Sequence, residues 1–206
     1  MTSWRQATLP GTKHVSNSNR GKIFEAELDA MHDIYRRKGW VDMVKNSTEW
    51  IYINQDKYIQ MSRSNPGLVA KTADGRCLRM KASNVDFSGG NRERSFIFDA
   101  KEISGDKFPF AKIKDHQVRR LLESAKCGTC SGVIIKFTEL NRVFFVSISA
   151  FHTKFDKWFV NSQIAGGKRA EKGAASFSIE ELEQIGCEIF ADKMTGYPNW
   201  FPELNK

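Results

Sequence analysis

No apolar run in the 206 residues approaches the roughly 20 needed to cross a bilayer, and the polar start Met1-Thr2-Ser3-Trp4-Arg5 carries no signal-peptide core. That argues against membrane and secreted classes, so a cytoplasmic setting with no membrane partner is expected. Glycine-rich phosphate loops are also missing. Gly89-Gly90 and Gly166-Gly167 lack the Lys-Ser/Thr or G-x-G-x-x-G context, so no nucleotide cofactor is expected. Cysteine is scarce, and Cys77, Cys127, Cys130 and Cys187 read as cytosolic thiols rather than a disulfide framework. Cys127-Gly128-Thr129-Cys130 has the spacing of half a zinc site. The other two cysteines stand apart, and His14, His32, His116 and His152 show no ligand spacing, so structural zinc is not expected. Acids are in deficit, 24 against 32 basic residues. The net charge of +8 and pI near 9.4 favour a polyanionic partner such as nucleic acid.

What is present fits one well-cored domain with or without an appendage: 40% apolar residues, 12% aromatic. Residues 1–18 are polar and carry Arg5, Lys13 and His14, which reads as a mobile basic arm. From Gly21 to Lys38 the pattern is helical. Phe24, Leu28, Met31 and Tyr35 form one stripe, Ser18 or Asn19 is available as N-cap, and Gly39 is the stop. Trp40 to Ile53 lacks clean alternation, with a strand placed near Trp50 to Ile53. Lys57 to Lys81 carries Lys57, Arg63, Lys71, Arg76, Arg79 and Lys81 against the single acid Asp74, with turns at Asn65-Pro66-Gly67 and Ala73-Asp74-Gly75. Such a segment reads either as a solvated loop or as a track for a phosphate backbone.

Two runs carry the chemistry: Lys81-Ala82-Ser83-Asn84-Val85-Asp86-Phe87-Ser88-Gly89-Gly90 and Ser95-Phe96-Ile97-Phe98-Asp99-Ala100-Lys101-Glu102. On a strand, Asp99 and Lys101 leave from one face while Phe98 and Ala100 leave from the other, into a core. A hairpin about Gly89 to Arg94 brings Asp86 opposite Asp99, with cross-strand Cβ atoms roughly 5 Å apart. Two carboxylates that close repel unless a cation lies between them, and hard divalent ions take such oxygen ligands. A nearby ammonium can orient a water nucleophile and balance charge on a phosphoryl oxygen. Alternating charge on a solvated strand is the plain alternative.

Farther on, a Lys107-to-Ile113 loop leads to a helix from Lys114 or Asp115, with Val118, Leu121 and Leu122 buried and Gln117 in its first turn. Val133–Phe137 and Val143–Ile148 form a hairpin around Glu139-Leu140-Asn141-Arg142. Phe155, Trp158 and Phe159 suggest a packed segment, and Ala165 to Gly173 reads as a Gly/Lys/Arg loop. Ser178 caps a helix through Ile185 with Glu181 in capping-box position. Tyr197 to Lys206 is a tail that covers either the core or a second subunit.

Asn19-Arg20-Gly21-x-x-Phe24-Glu25, Lys81-x-Ser83-x-x-Asp86-Phe87-x-Gly89, Phe98-Asp99-Ala100-Lys101-Glu102, Lys107-Phe108-Pro109-Phe110 and His116-Gln117, in that order, resemble the RecU-type Holliday junction resolvases of the PD-(D/E)xK nuclease superfamily. The resemblance covers roughly residues 17 to 150 and implies an α/β, restriction-endonuclease-like core, a mixed central β-sheet flanked by helices with a protruding basic stalk. It implies a nuclease core at 19–160, the stalk within 57–81, and a 161–206 extension on the core or a dimer partner. It further implies an Mg2+-dependent endonuclease, Mn2+ substituting, acting as a homodimer on branched DNA. Glu25, read on its own as either facing the sheet or complementing the helix dipole, then completes the acidic cluster of Asp86 and Asp99. The carbonyl of Ala100 becomes a further metal ligand, Lys101 positions water, and Gln117 is a supporting catalytic residue. Arg20, Arg63, Lys71, Arg76, Arg79, Lys81, Arg119 and Arg120 become DNA contacts. Two departures stand out: many members have Glu where Asp99 stands, and the usual proline-bearing segment between residues 40 and 80 is not found.

Overall fold

A computed structural model describes residues 17–46, 49–64, 69–81, 85–164 and 175–204. The N-terminal arm through residue 16, the Asn65-Pro66-Gly67 turn, residues 82–84 and the 165–173 loop lie outside the described residues. In chain order the elements are α1 (Asn17–Arg37), β1 (Asp42–Lys45), β2 (Glu49–Ile53), α2 (Gln55–Ser64), β3 (Val69–Lys71), β4 (Cys77–Lys81), β5 (Phe87–Gly90), β6 (Ser95–Ile103), β7 (Lys107–Pro109), α3 (Asp115–Lys126), β8 (Cys130–Phe137), β9 (Arg142–Ser147), α4 (Ile148–Ile164), β10 (Ser176–Ser178), α5 (Ile179–Ile185), β11 (Cys187–Ile189) and α6 (Trp200–Leu204). Among them no helix is long and apolar enough to cross a membrane.

The centre is a six-stranded mixed sheet in the order β1-β5-β6-β8-β9-β11, parallel between β6 and β8 and antiparallel elsewhere. Both faces are covered. α1 lays Phe24, Leu28, Met31 and Tyr35 on one, against Phe87, Phe96, Phe98, Ala100 and Ile134, and Trp200 and Phe201 of α6 complete that layer. The expected stripe is therefore the buried one. Gly39 ends the helix in the left-handed region (φ 69°), with its N–H donating to the Arg36 carbonyl and that of Trp40 to Tyr35, the paired bonds of a Schellman stop. The start differs from expectation: helix is already present at Asn17, so Ser18 and Asn19 lie inside it rather than capping it.

The opposite face carries Ile97, Ile103, Val133, Ile135 and Phe137 against α3, α4 and the aromatic group Phe108, Phe110, Phe151, Phe155 and Phe177. This second layer changes the meaning of the β6 alternation. Asp99 does point away from Phe98 and Ala100, but into another buried layer, and it is fully shielded. The segment Lys107 to Ile113, expected as loop, is β7 paired antiparallel with β10, followed by a 3-10 turn over Phe110–Lys112.

β1 was not legible as a strand. It lies on β5 because residue 89 is glycine: a Cβ there would sit 2.0 Å from the Asp42 carbonyl oxygen. At the other end of the chain, Ser178 accepts the Glu181 N–H at 3.3 Å while the Glu181 carboxylate accepts the Ser178 N–H at 2.9 Å, the expected capping box of α5. The tail packs on the chain's own core through Trp200 and Phe201.

Residues 49–64 and 69–81 form a second body, in which β2, β4 and β3 pair with one another and, among the described residues, with no strand of the main sheet. α2 lies beside it with no buried residue. The solvated-loop alternative therefore gives way to an ordered helix and hairpin, turned at Gly75 (φ 83°) within the expected Ala73-Asp74-Gly75 signal.

Candidate active site

The β5–β6 register runs Phe87 to Phe98 and Gly90 to Ser95, so the next pair past the end of the ladder is Asp86 opposite Asp99. Asp86 follows a bend and is held in place by the backbone, its Oδ2 accepting the Ala100 N–H at 2.8 Å. That bond ties the first acid to the main chain between the second acid and the lysine.

Asp99 is gripped from two directions. The Gln117 side-chain amide donates to its Oδ1 at 2.7 Å, while the Gln117 carbonyl oxygen accepts the Lys114 N–H at 3.1 Å, so one side chain joins the start of α3 to the acid. The shielded Oδ2 takes no aligned hydrogen bond among the described residues and is met by the Lys101 ammonium as an ion pair. Burial pushes the Asp99 carboxyl up to about 7; Lys101 opposes the rise and the neighbouring Asp86 charge adds to it. A carboxylate this costly to ionise, with a second beside it and an oxygen lacking a hydrogen bond, fits a hard divalent cation, which would favour the charged form.

Glu25 reaches the same region from α1. With Gly21, Ala100, Lys101, Lys107 and Lys112 it lines a cleft of about 480 Å³ at the end of β6. Its carboxylate is engaged by Lys45 of β1 at 2.9 Å, a residue that sequence reading did not single out. Among the described residues no three His, Cys, Asp or Glu side chains are gathered closely enough to hold a metal. The structure thus brings Asp86, Asp99, Ala100, Lys101 and Gln117 together and places Glu25 in the adjoining cleft, facing another partner.

The expected DNA contacts fall in two groups. Arg63, Lys71 and Arg76 are exposed on the small body. There the Lys71 ammonium lies 5.3 Å from the Tyr58 ring centre, and the Arg76 guanidinium lies 5.1 Å from that of Tyr52 while pairing with Asp74. Arg79 is half-buried in β4, and its Nε has no hydrogen-bond partner among the described residues. On α3, Arg120 is exposed and Arg119 pairs with Asp115 at 2.7 Å. The side chains of Arg20 and Lys81 lie outside the described part.

A family model described as RecU, recombination protein U, matches residues 19–197. The chain belongs to the RecU family. The Holliday junction resolvase RecU of Geobacillus thermodenitrificans is 30% identical over 173 residues, covering 84% of this chain and 76% of that one. The protein of the same name from Pediococcus pentosaceus is 33% identical over 110 residues, 53% of this chain and 49% of the relative. Among solved structures, Hjc of Archaeoglobus fulgidus, a Holliday junction resolvase, superposes with a TM-score of 0.42 at 11% identity, covering 80% of this chain and 93% of that one. In this RecU chain the match spans every element from α1 through β11, so the α/β frame that carries the site is the family's.

Proposed function

We propose that this chain is an Mg2+-dependent, structure-selective DNA endonuclease that resolves Holliday junctions by paired phosphodiester hydrolysis, in recombination and repair within the cytoplasm. The observation that carries the proposal is the placement of Asp86 opposite Asp99, with Lys101 on Asp99 and Glu25 in the adjoining cleft, in a RecU-family chain with relatives named as Holliday junction resolvases.

Asp86, Asp99, Glu25 and the Ala100 carbonyl would hold Mg2+, with Mn2+ as a substitute; when bound, the ion supplies Lewis-acid stabilisation of charge on the phosphoryl oxygens. Lys101, half-buried beside Asp99, can donate to a water at the scissile phosphate and balance charge that grows there. The Ala100 N–H keeps Asp86 from turning away, and Gln117 fixes the rotamer of Asp99. Paired cuts across a symmetric four-way junction call for two such sites related by a twofold axis, hence a homodimer. The small body of β2, β4, β3 and α2 is the part suited to reach the junction as a stalk.

Purified protein incubated with a synthetic four-way junction is expected to cut opposite strands symmetrically in Mg2+ and to leave them intact in EDTA. Equal rates on junction, fork and linear duplex would remove junction selectivity from the proposal. A second reading, a junction-binding protein that does not cut, is favoured by the Glu25–Lys45 pair and the absence of a gathered three-acid group among the described residues. Binding without cleavage in either Mg2+ or Mn2+ would select it.

A further inference from the structure

Lys107 and Lys112 line the same cleft as Lys101, and nothing in the chemistry described so far uses them. Their position follows from the local sequence. In Lys107-Phe108-Pro109-Phe110 the two phenylalanines are fully buried, so Lys107 and Pro109 are turned outward. β10 pairs with this stretch, the Phe110 N–H donates to the Ala175 carbonyl at 2.9 Å, and the Ile113 N–H closes the 3-10 turn onto Phe110 at 3.2 Å. Both lysines are therefore exposed on a short element anchored in the core, not on a free loop.

Two neighbouring cations are already engaged, Lys101 by Asp99 and Lys45 by Glu25. A cleft of about 480 Å³ is the size of a small ligand or a few backbone atoms of a polymer, not of a duplex. Ala100 and Lys101, which follow Asp99 on β6, line this cleft together with Lys107 and Lys112, which suits a single sugar–phosphate strand running along the lysines towards Asp86 and Asp99. Asp106 and Glu102 also line the cleft and weaken its positive wall, so both lysines are needed.

We propose that Lys107 and Lys112 form a phosphate-binding wall that seats the backbone of the strand being cut next to the reactive phosphate. The proposal rests on the nuclease reading and adds to it a strand path. Its rival is a structural role, since Glu180 of α5 lies within electrostatic reach of Lys107.

The test is junction binding in EDTA across a KCl series, for wild type, Lys107→Ala, Lys112→Ala and the two Lys→Arg variants. The slope of log affinity against log salt should fall by about 0.9 for each lysine removed and be restored by arginine. Cleavage assays on junctions carrying one neutral methylphosphonate beside the cut site locate the contact. That substitution should slow wild type roughly tenfold and add little to the loss in Lys107→Ala,Lys112→Ala. An unchanged salt slope, or full additivity of the methylphosphonate and lysine effects, overturns the proposal. Running the binding series on linear duplex as well separates the two claims. Equal affinity for junction and duplex with the lysine-dependent slope intact would count against junction selectivity while supporting the wall.

Discussion

The main six-stranded sheet and the three-stranded sheet of the small body solve different problems. β6 in the main sheet is covered on both faces by aromatic layers, so each of its residues from Phe96 to Ala100 is buried. In the small body, α2 buries nothing, and Tyr52 of β2 remains 62% exposed. Dense packing fixes rotamers and tolerates little change, which is what a carboxylate pair needs. A thinly packed sheet of three short strands leaves its surface free for charge. Under the proposed function, that difference puts chemistry in the first and reach in the second.

The sharpest way to break that division is Asp99→Ala. Removing an acid that contacts both Lys101 and Gln117 should lower junction cleavage roughly a thousandfold or more while gel-shift binding persists. Cleavage that survives would move the reaction out of the main sheet.

Stability should divide in the same way. Trp200 is fully buried among His32, Phe96, Phe98 and Phe201, and its indole N–H donates to His32 Nε2 at 3.1 Å. Trp200→Ala should cost about 3–5 kcal/mol in urea unfolding. Tyr52→Ala, losing an exposed ring under Arg76, should stay within about 0.5 kcal/mol. A comparable loss at both positions would mean that the small sheet shares the main core.

That contrast also decides what could be read from sequence. α1 was legible because it buries a face whose period the residues repeat, and the β5–β6 hairpin because two runs flank a polar turn. α2 was not, because Gln55-Asp56-Lys57-Tyr58-Ile59-Gln60 covers no core and so writes no stripe. β7 and β10 are three residues each, too short for alternation to register. The burial of Asp99 was hidden for another reason: alternation says which side chains share a face, not that α3 and α4 cover the second one. Likewise the pairing of Glu25 could not be read, because Lys45 belongs to a strand that only Gly89 allows to dock.

Acid unfolding in EDTA gives the next effect. Burial, with the Arg36 charge adding, lowers His32 from 6.5 to about 3, so its contribution is complete above 6.5 and is lost as pH falls towards 3. Asp99 runs the other way: raised from 3.8 to about 7, it contributes fully below 3.8 and loses this as pH rises to 7. Between about pH 4 and 6.5 the two slopes oppose, each near 1.4 kcal/mol per pH unit at most. Asp99→Asn removes one of them, so its stability should climb more steeply with pH than that of wild type, by up to about 1.4 kcal/mol per unit. Parallel curves would show that the Asp99 proton is not held by the fold.

Gln117→Ala tests positioning more gently. The first turn of α3 loses its tie to Asp99 but the acid stays, so cleavage should fall about 10- to 100-fold with binding unchanged, and Gln117→Glu should not restore it because a carboxylate cannot donate to Asp99 Oδ1.

The smallest expected effect belongs to the small body, and it is a change of preference rather than of stability. Arg63, Lys71 and Arg76 are exposed, and the pairing of Arg76 with Asp74 at the surface contributes little to folding. Replacing Arg63 and Lys71 with alanine should leave the unfolding midpoint within error, since neither covers a core. If the body reaches into the junction, the same change should lower the ratio of junction to duplex affinity several-fold and flatten the salt dependence by about 0.9 per charge lost, with the cutting step on bound junction unaltered. A loss shared equally by junction and duplex would make these residues general phosphate contacts. Selectivity would then have to lie outside the small body.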